Sequence, residues 1–225
     1  MRRITPRLLI VLLAILLAVT SAGVWAISRP SLQKAIRQPG FATQIEARQE
    51  ATAVAPAARW EPVFFGIINE RVAEAKIPNL RTALLPDGAF EIRVWVGFGI
   101  RGEDGFSLQH SSGQWSALHL HGMAERPPFV KTLRSLPAPR SGWEAAWKKL
   151  VEAGVLRLPD ASDVGCNTHI FDGTSYVVEI NLNKTYRTYL YDNPKYARCD
   201  EAKHMIRIGE IITEEFGLKE FKIRD

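Results

Sequence analysis

His119 and His121 have the spacing best suited to chemistry in this chain. Residues two apart on a strand project from one face about 7 Å from each other, and imidazole is the commonest ligand of zinc-class ions. Such a pair needs a third donor. His110 does not supply it, because pairing across the turn at Ser111–Gly113 sets it opposite Trp115, several residues along the strand from His119. Glu125 or a carboxylate from another part of the fold would have to complete the set. Taken alone, the sequence assigns no metal ligand and no cofactor.

Other chemical signatures fail on their context. Gly97, Gly99 and Gly102 match G-x-G-x-x-G after a strand, but that motif delivers a helix N-terminus to pyrophosphate, whereas here Glu103, Asp104 and Gly105 follow and lead into another strand. The glycines fit a twisted strand end better. Neither G-x-S-x-G nor H-E-x-x-H is present. Asp160, Asp163, Asp172 and Asp192 offer carboxylates for glycoside hydrolysis, yet that mechanism depends on a separation the sequence does not fix, and their loop positions suit turns and caps. No residue is assigned a catalytic role.

All five tyrosines lie between Tyr176 and Tyr196. A hairpin is expected there, and a three-residue turn at Asn183–Thr185 would set Leu182, Ile180 and Val178 opposite Tyr186, Thr188 and Leu190, keeping one face largely apolar. In that register Arg187, Tyr189 and Tyr191 share the other face with Glu179 and form an aromatic, Arg-bearing surface for a protein, peptide or glycan partner.

The elements that must position these residues follow from periodicity. Pro62 opens a helix to about Ala75, with Phe64, Ile67, Ile68 and Val72 at helical spacing. Phe90, Ile92, Val94, Val96, Phe98 and Ile100 alternate as a strand, and turns at Gly102–Gly105 and Ser111–Gly113 set off short strands around Phe106–His110 and Trp115–Leu120 that complete an antiparallel meander. After a Pro-rich connection, Ser141 and Glu144 fit a capping box for a helix carrying Trp143, Ala146, Trp147, Leu150 and Val151, ended by Gly154. A helix from Asp200 to Phe216 places Met205, Ile208, Ile212 and Phe216 on one stripe before Gly217, and a short last strand is expected around Phe221–Ile223. Hairpins without strand-helix alternation indicate an α+β fold, mainly antiparallel, with about three helices.

Charge and hydropathy divide the chain. Arg2, Arg3, Arg7 and Arg29 are the only charges in residues 1–29, and setting them aside leaves 25 basic against 24 acidic residues, a net of +1 rather than +5. A near-neutral domain with no basic stripe argues against nucleic-acid binding. The 21 uncharged residues from Leu8 to Ser28, at about 1.5 Å per residue, span roughly 30 Å of hydrocarbon. Residues 1–29 therefore read as a single-pass anchor with its N-terminus in the cytoplasm, residues 30–57 as a flexible tether, and residues 58–225 as one periplasmic or otherwise extracytoplasmic domain. Thr20-Ser21-Ala22 also fits a signal-peptidase site, and cleavage there would release a secreted protein. Cys166 and Cys199 are the only cysteines. In an oxidising compartment they are expected to pair, closing a loop of about 33 residues that stabilises by roughly 3–4 kcal/mol.

Trp143, Trp147, Leu158-Pro159-Asp160, Asp172-Gly173, Tyr176-Val177-Val178-Glu179, Tyr186-Arg187, Tyr189, Tyr191 and Asn193-Pro194 carry a resemblance to a set of uncharacterised bacterial exported and membrane-anchored proteins. The likeness covers about a third of the chain. It implies a bacterial envelope address and a recurring α+β module, and it transfers no activity. The function expected is a tethered, non-enzymatic binding domain acting through the tyrosine-rich hairpin; the alternative is an envelope hydrolase using carboxylates or histidines.

Overall fold

The computed structural model describes residues 62–98, 102–122, 127–166, 168 and 173–223. The segments expected to be an anchor (1–29) and a tether (30–57), together with Gly99–Arg101, Glu125 and Asp172, lie outside them. Among the described residues no helix is long and apolar enough to cross a membrane.

A single antiparallel sheet organises the chain. Strands β1 (Phe90–Gly97), β2 (Asp104–Ser111), β3 (Gln114–Gly122), β4 (Val130–Ser135), β5 (Ser175–Leu182) and β6 (Thr185–Asp192) take the order β4-β3-β2-β1-β5-β6. Three helices pack on it: α1 (Val63–Glu74), α2 (Trp143–Glu152) and α3 (Asp200–Phe216). This is the expected α+β class, with the meander and the second hairpin fused into one sheet because β5 pairs with β1 along its length.

Both faces of β1 are buried, so its alternation separates two cores rather than core from solvent. Phe90, Ile92 and Val94 lie under the helices, where Phe90 stacks on Trp147 of α2 with centroids 4.5 Å apart and Phe106 meets Phe216 of α3 at 4.8 Å. Across the sheet, Trp95, Leu120 and Val177 pack against Ile68 and Val72 of α1. Gly209 lets α3 come close to the backbone at Phe221, where a Cβ would collide with the carbonyl.

Several local expectations are corrected. Ser141 does not form a capping box with Glu144: its N–H and hydroxyl both bond to Glu215 at 2.9 Å, and Glu144 accepts the Trp115 indole N–H instead. The Pro-rich connection contains β4, a largely exposed edge strand. The end of the chain forms a 3-10 turn, Lys219–Phe221, where a strand was expected. The second hairpin closes through a two-residue turn, Asn183-Lys184, with both residues in the left-handed region, so Ile180 faces Arg187 and Val178 faces Tyr189. That register is possible because the apolar face lies under backbone carbonyls that accept from Arg187 and the tyrosines.

Candidate functional site

The hairpin residues do not form one surface. Arg187, Tyr189 and Tyr191 point to the helical side of the sheet, and Glu179 points to the other. Tyr189 and Tyr191 are buried, and their hydroxyls donate to the carbonyls of Val155 (2.9 Å) and Pro159 (3.0 Å). Arg187 donates to the carbonyls of Leu156 and Leu158. These side chains hold down the segment that follows α2. Burial pushes the Tyr191 phenol up to about 12, so the hook stays protonated at neutral pH. Glu179 accepts from the Trp95 indole at 2.7 Å and the Tyr186 hydroxyl at 2.9 Å, and burial raises its pKa.

Two of the aspartates, Asp160 and Asp192, are likewise engaged. Asp160 accepts from Ser162 and, through its second oxygen, from the Leu190 N–H on the outer edge of β6. Asp192 accepts from the Ser175 hydroxyl at 2.5 Å. Cys166 and Cys199 form the expected disulfide, with Cα atoms 5.8 Å apart, so neither sulfur is left as a thiolate for a metal. Gly97 takes φ 131° with its Cα against the Gly102 carbonyl, where an added Cβ would lie at 2.8 Å; this glycine serves the tight β1–β2 connection.

Among the described residues, two places bring polar side chains together where a ligand could meet them. The first is a pocket of about 280 Å³ on the α1 side of the sheet, beneath the segment 77–85. Asn181 fixes that segment by donating to the carbonyls of Leu80 and Ala83. The pocket has apolar walls from Ile77, Pro78, Leu84 and Leu118. In its floor Arg93 bonds Glu91 at 2.6 Å and the Pro78 carbonyl at 2.8 Å, while Ser107 bonds Glu91. Gln109 and Ser116 also line it.

The second lies on the opposite face, at the far end of β2 and β3. Asp104 sits directly across from His121, with Oδ1 at 2.5 Å from Nδ1, and His119 Nε2 is 3.4 Å from the same oxygen. One donor atom from each residue falls within 4.8 Å of the others. His119 is 3% exposed and its Nε2 has no hydrogen-bond partner. On β4, Arg134 faces His119 and its Nε donates to Nδ1 at 3.4 Å. His110 sits against Phe90 and Trp115, as its register requires, and burial lowers its pKa.

The sequence reading found the histidine pair and missed Asp104, which it placed in a turn. The signal was present: once His110 is paired with Trp115, stepping outward along the same register pairs Asp104 with His121.

Comparison of the chain with protein-family models, with curated proteins and with solved structures gives no match.

Proposed function

We propose that this chain is a membrane-tethered envelope protein, anchored through residues 8–28 with its domain in the periplasm, and that the domain binds a small ligand without transforming it. One observation carries the binding reading. Asp160 and Arg187 hold backbone in place and Glu179 and Asp192 accept from neighbouring side chains, whereas the pocket under the segment 77–85 offers apolar walls beside the hydrogen-bonding groups of Gln109 and Ser116. The disulfide supports an oxidising compartment.

A pocket of about 280 Å³ is at the small end of ligand sites, which run from roughly 300 to 1,000 Å³. It suits one sugar ring or one peptide residue better than a drug-sized molecule or a folded partner. The binding surface is thereby moved from the tyrosine hairpin to the α1 side of the sheet.

Saturation-transfer NMR of the full chain in micelles, against monosaccharides and capped single amino acids with no metal added, tests this. At least one probe should bind the wild type and lose its signal with Ser116→Phe, which fills the pocket, while Lys148→Ala leaves it unchanged. No binding by any probe, or binding that survives Ser116→Phe, sinks the pocket reading. Chemical change of a bound probe would favour the second reading, an envelope hydrolase, which the Asp104–His121 contact supports.

A further inference from the structure

We infer that Asp104, His119 and His121 bind a divalent transition ion of the zinc class. Three features carry this. The donor set is two imidazoles and one carboxylate, the composition that such ions take in sites with an open position. The backbone fixes their relative placement: Asp104 and His121 are directly paired across β2 and β3, and His119 is two residues along the same face. The third feature is the Nε2 of His119, a buried polar atom without a hydrogen-bond partner that lies 3.4 Å from the Asp104 carboxylate.

Distances decide how much the site must adjust. Ligand bonds of about 2.0–2.1 Å in tetrahedral geometry place donor atoms roughly 3.3 Å apart. The His119–Asp104 separation of 3.4 Å already meets that, and the His121–Asp104 contact of 2.5 Å must open. His121 has the room to move, since its side chain is 37% exposed. Its exposure also leaves the fourth coordination position toward solvent.

Arg134 opposes the ion in one tautomer. While its Nε donates to Nδ1 of His119, the proton of the neutral ring sits on Nε2, the atom required for the metal. Binding therefore moves that proton to Nδ1 and turns Arg134 away, which costs little for an exposed side chain on an edge strand. Arg134 is a competitor of the ion, and its removal should favour binding.

The test uses the full chain in micelles, purified without a histidine tag and stripped with chelator. Zinc titration by calorimetry should give one equivalent bound, and cobalt should produce the visible d–d absorption of a low-coordinate ion. Asp104→Asn and His121→Gln should each weaken zinc binding by about tenfold or more, and Arg134→Ala should bind at least as tightly as wild type. Near-UV circular dichroism of the zinc-free variants checks that they fold; His121→Gln, at a half-exposed position, keeps the test open if the others do not. Absence of stoichiometric zinc in the wild type, wild-type affinity in a folded Asp104→Asn or His121→Gln, or weakened binding in Arg134→Ala overturns the assignment. Pocket binding measured without metal is independent of each of these outcomes.

Discussion

The two edges of the sheet are treated in opposite ways. At β6 the edge is closed: Asp160 takes the Leu190 N–H, Thr168 reaches the Asp192 carbonyl, and Arg187, Tyr189 and Tyr191 grip four carbonyls between Val155 and Pro159. At β4 the edge is short and exposed among the described residues, and the charges of Lys131 and Arg134 on it disfavour further strand pairing. The connection leaving β4 is tied at one carboxylate, Glu215, which accepts from Ser141 and from Lys149 at 2.5 Å. An unusual local composition thus marks anchoring at one side, while toward the other a buried polar atom, His119 Nε2, is left without a hydrogen-bond partner.

The largest expected effect follows from the closed edge. Tyr189→Ala removes a fully buried aromatic and its bond to Val155, and should cost about 3–5 kcal/mol in urea unfolding. A loss under 1 kcal/mol would mean that the hairpin face is free surface after all.

Glu215 provides an intermediate effect with a pH signature. Burial opposes its charge, but the Lys149 ammonium and the two Ser141 bonds outweigh that and hold its pKa below the ordinary carboxylate range. Its contribution is therefore present above the unfolded carboxyl value and is lost as pH falls through the depressed folded one. Glu215→Gln should lose about 1–2 kcal/mol at neutral pH, and its stability should converge with that of wild type in acid. The tyrosine hooks behave oppositely. With the Tyr191 value raised to about 12, their contribution persists below the unfolded phenol value and fades only as alkaline pH approaches the folded one. Parallel curves for Glu215→Gln and wild type across the acid range would remove the electrostatic difference between the two sides.

The smallest effect belongs to the open edge. Lys131→Ala, exposed and without a bond that shapes the fold, should stay within about 0.5 kcal/mol of wild type by thermal unfolding. A larger loss would show that β4 is held more firmly than its exposure indicates.

What the sequence disclosed depended on whether local pattern and tertiary burial agreed. They agree in α3 with its Gly217 stop and in the disulfide, so these were legible, and β1 was legible as a strand although both of its faces are buried. They disagree in the hairpin: assuming one wet face favours a three-residue turn, yet both faces are covered, and Arg187 sits opposite Ile180 because loop carbonyls receive it. The β4 strand was hidden by the prolines on either side and by having Val130 and Leu133 as its only large apolar residues. Of the three residues in the proposed metal set, two are visible as His-x-His. Its carboxylate was obscured by reading Gly102–Gly105 as a turn, although β2 already begins at Asp104.

The cross-link between Cys166 and Cys199 has a consequence for durability in a protease-rich setting. The exposed turn at Asn183 and Lys184 lies between the two bridged positions, so a single cut there severs the backbone without separating the pieces. The nicked protein would migrate as one species until a reductant divides it into two.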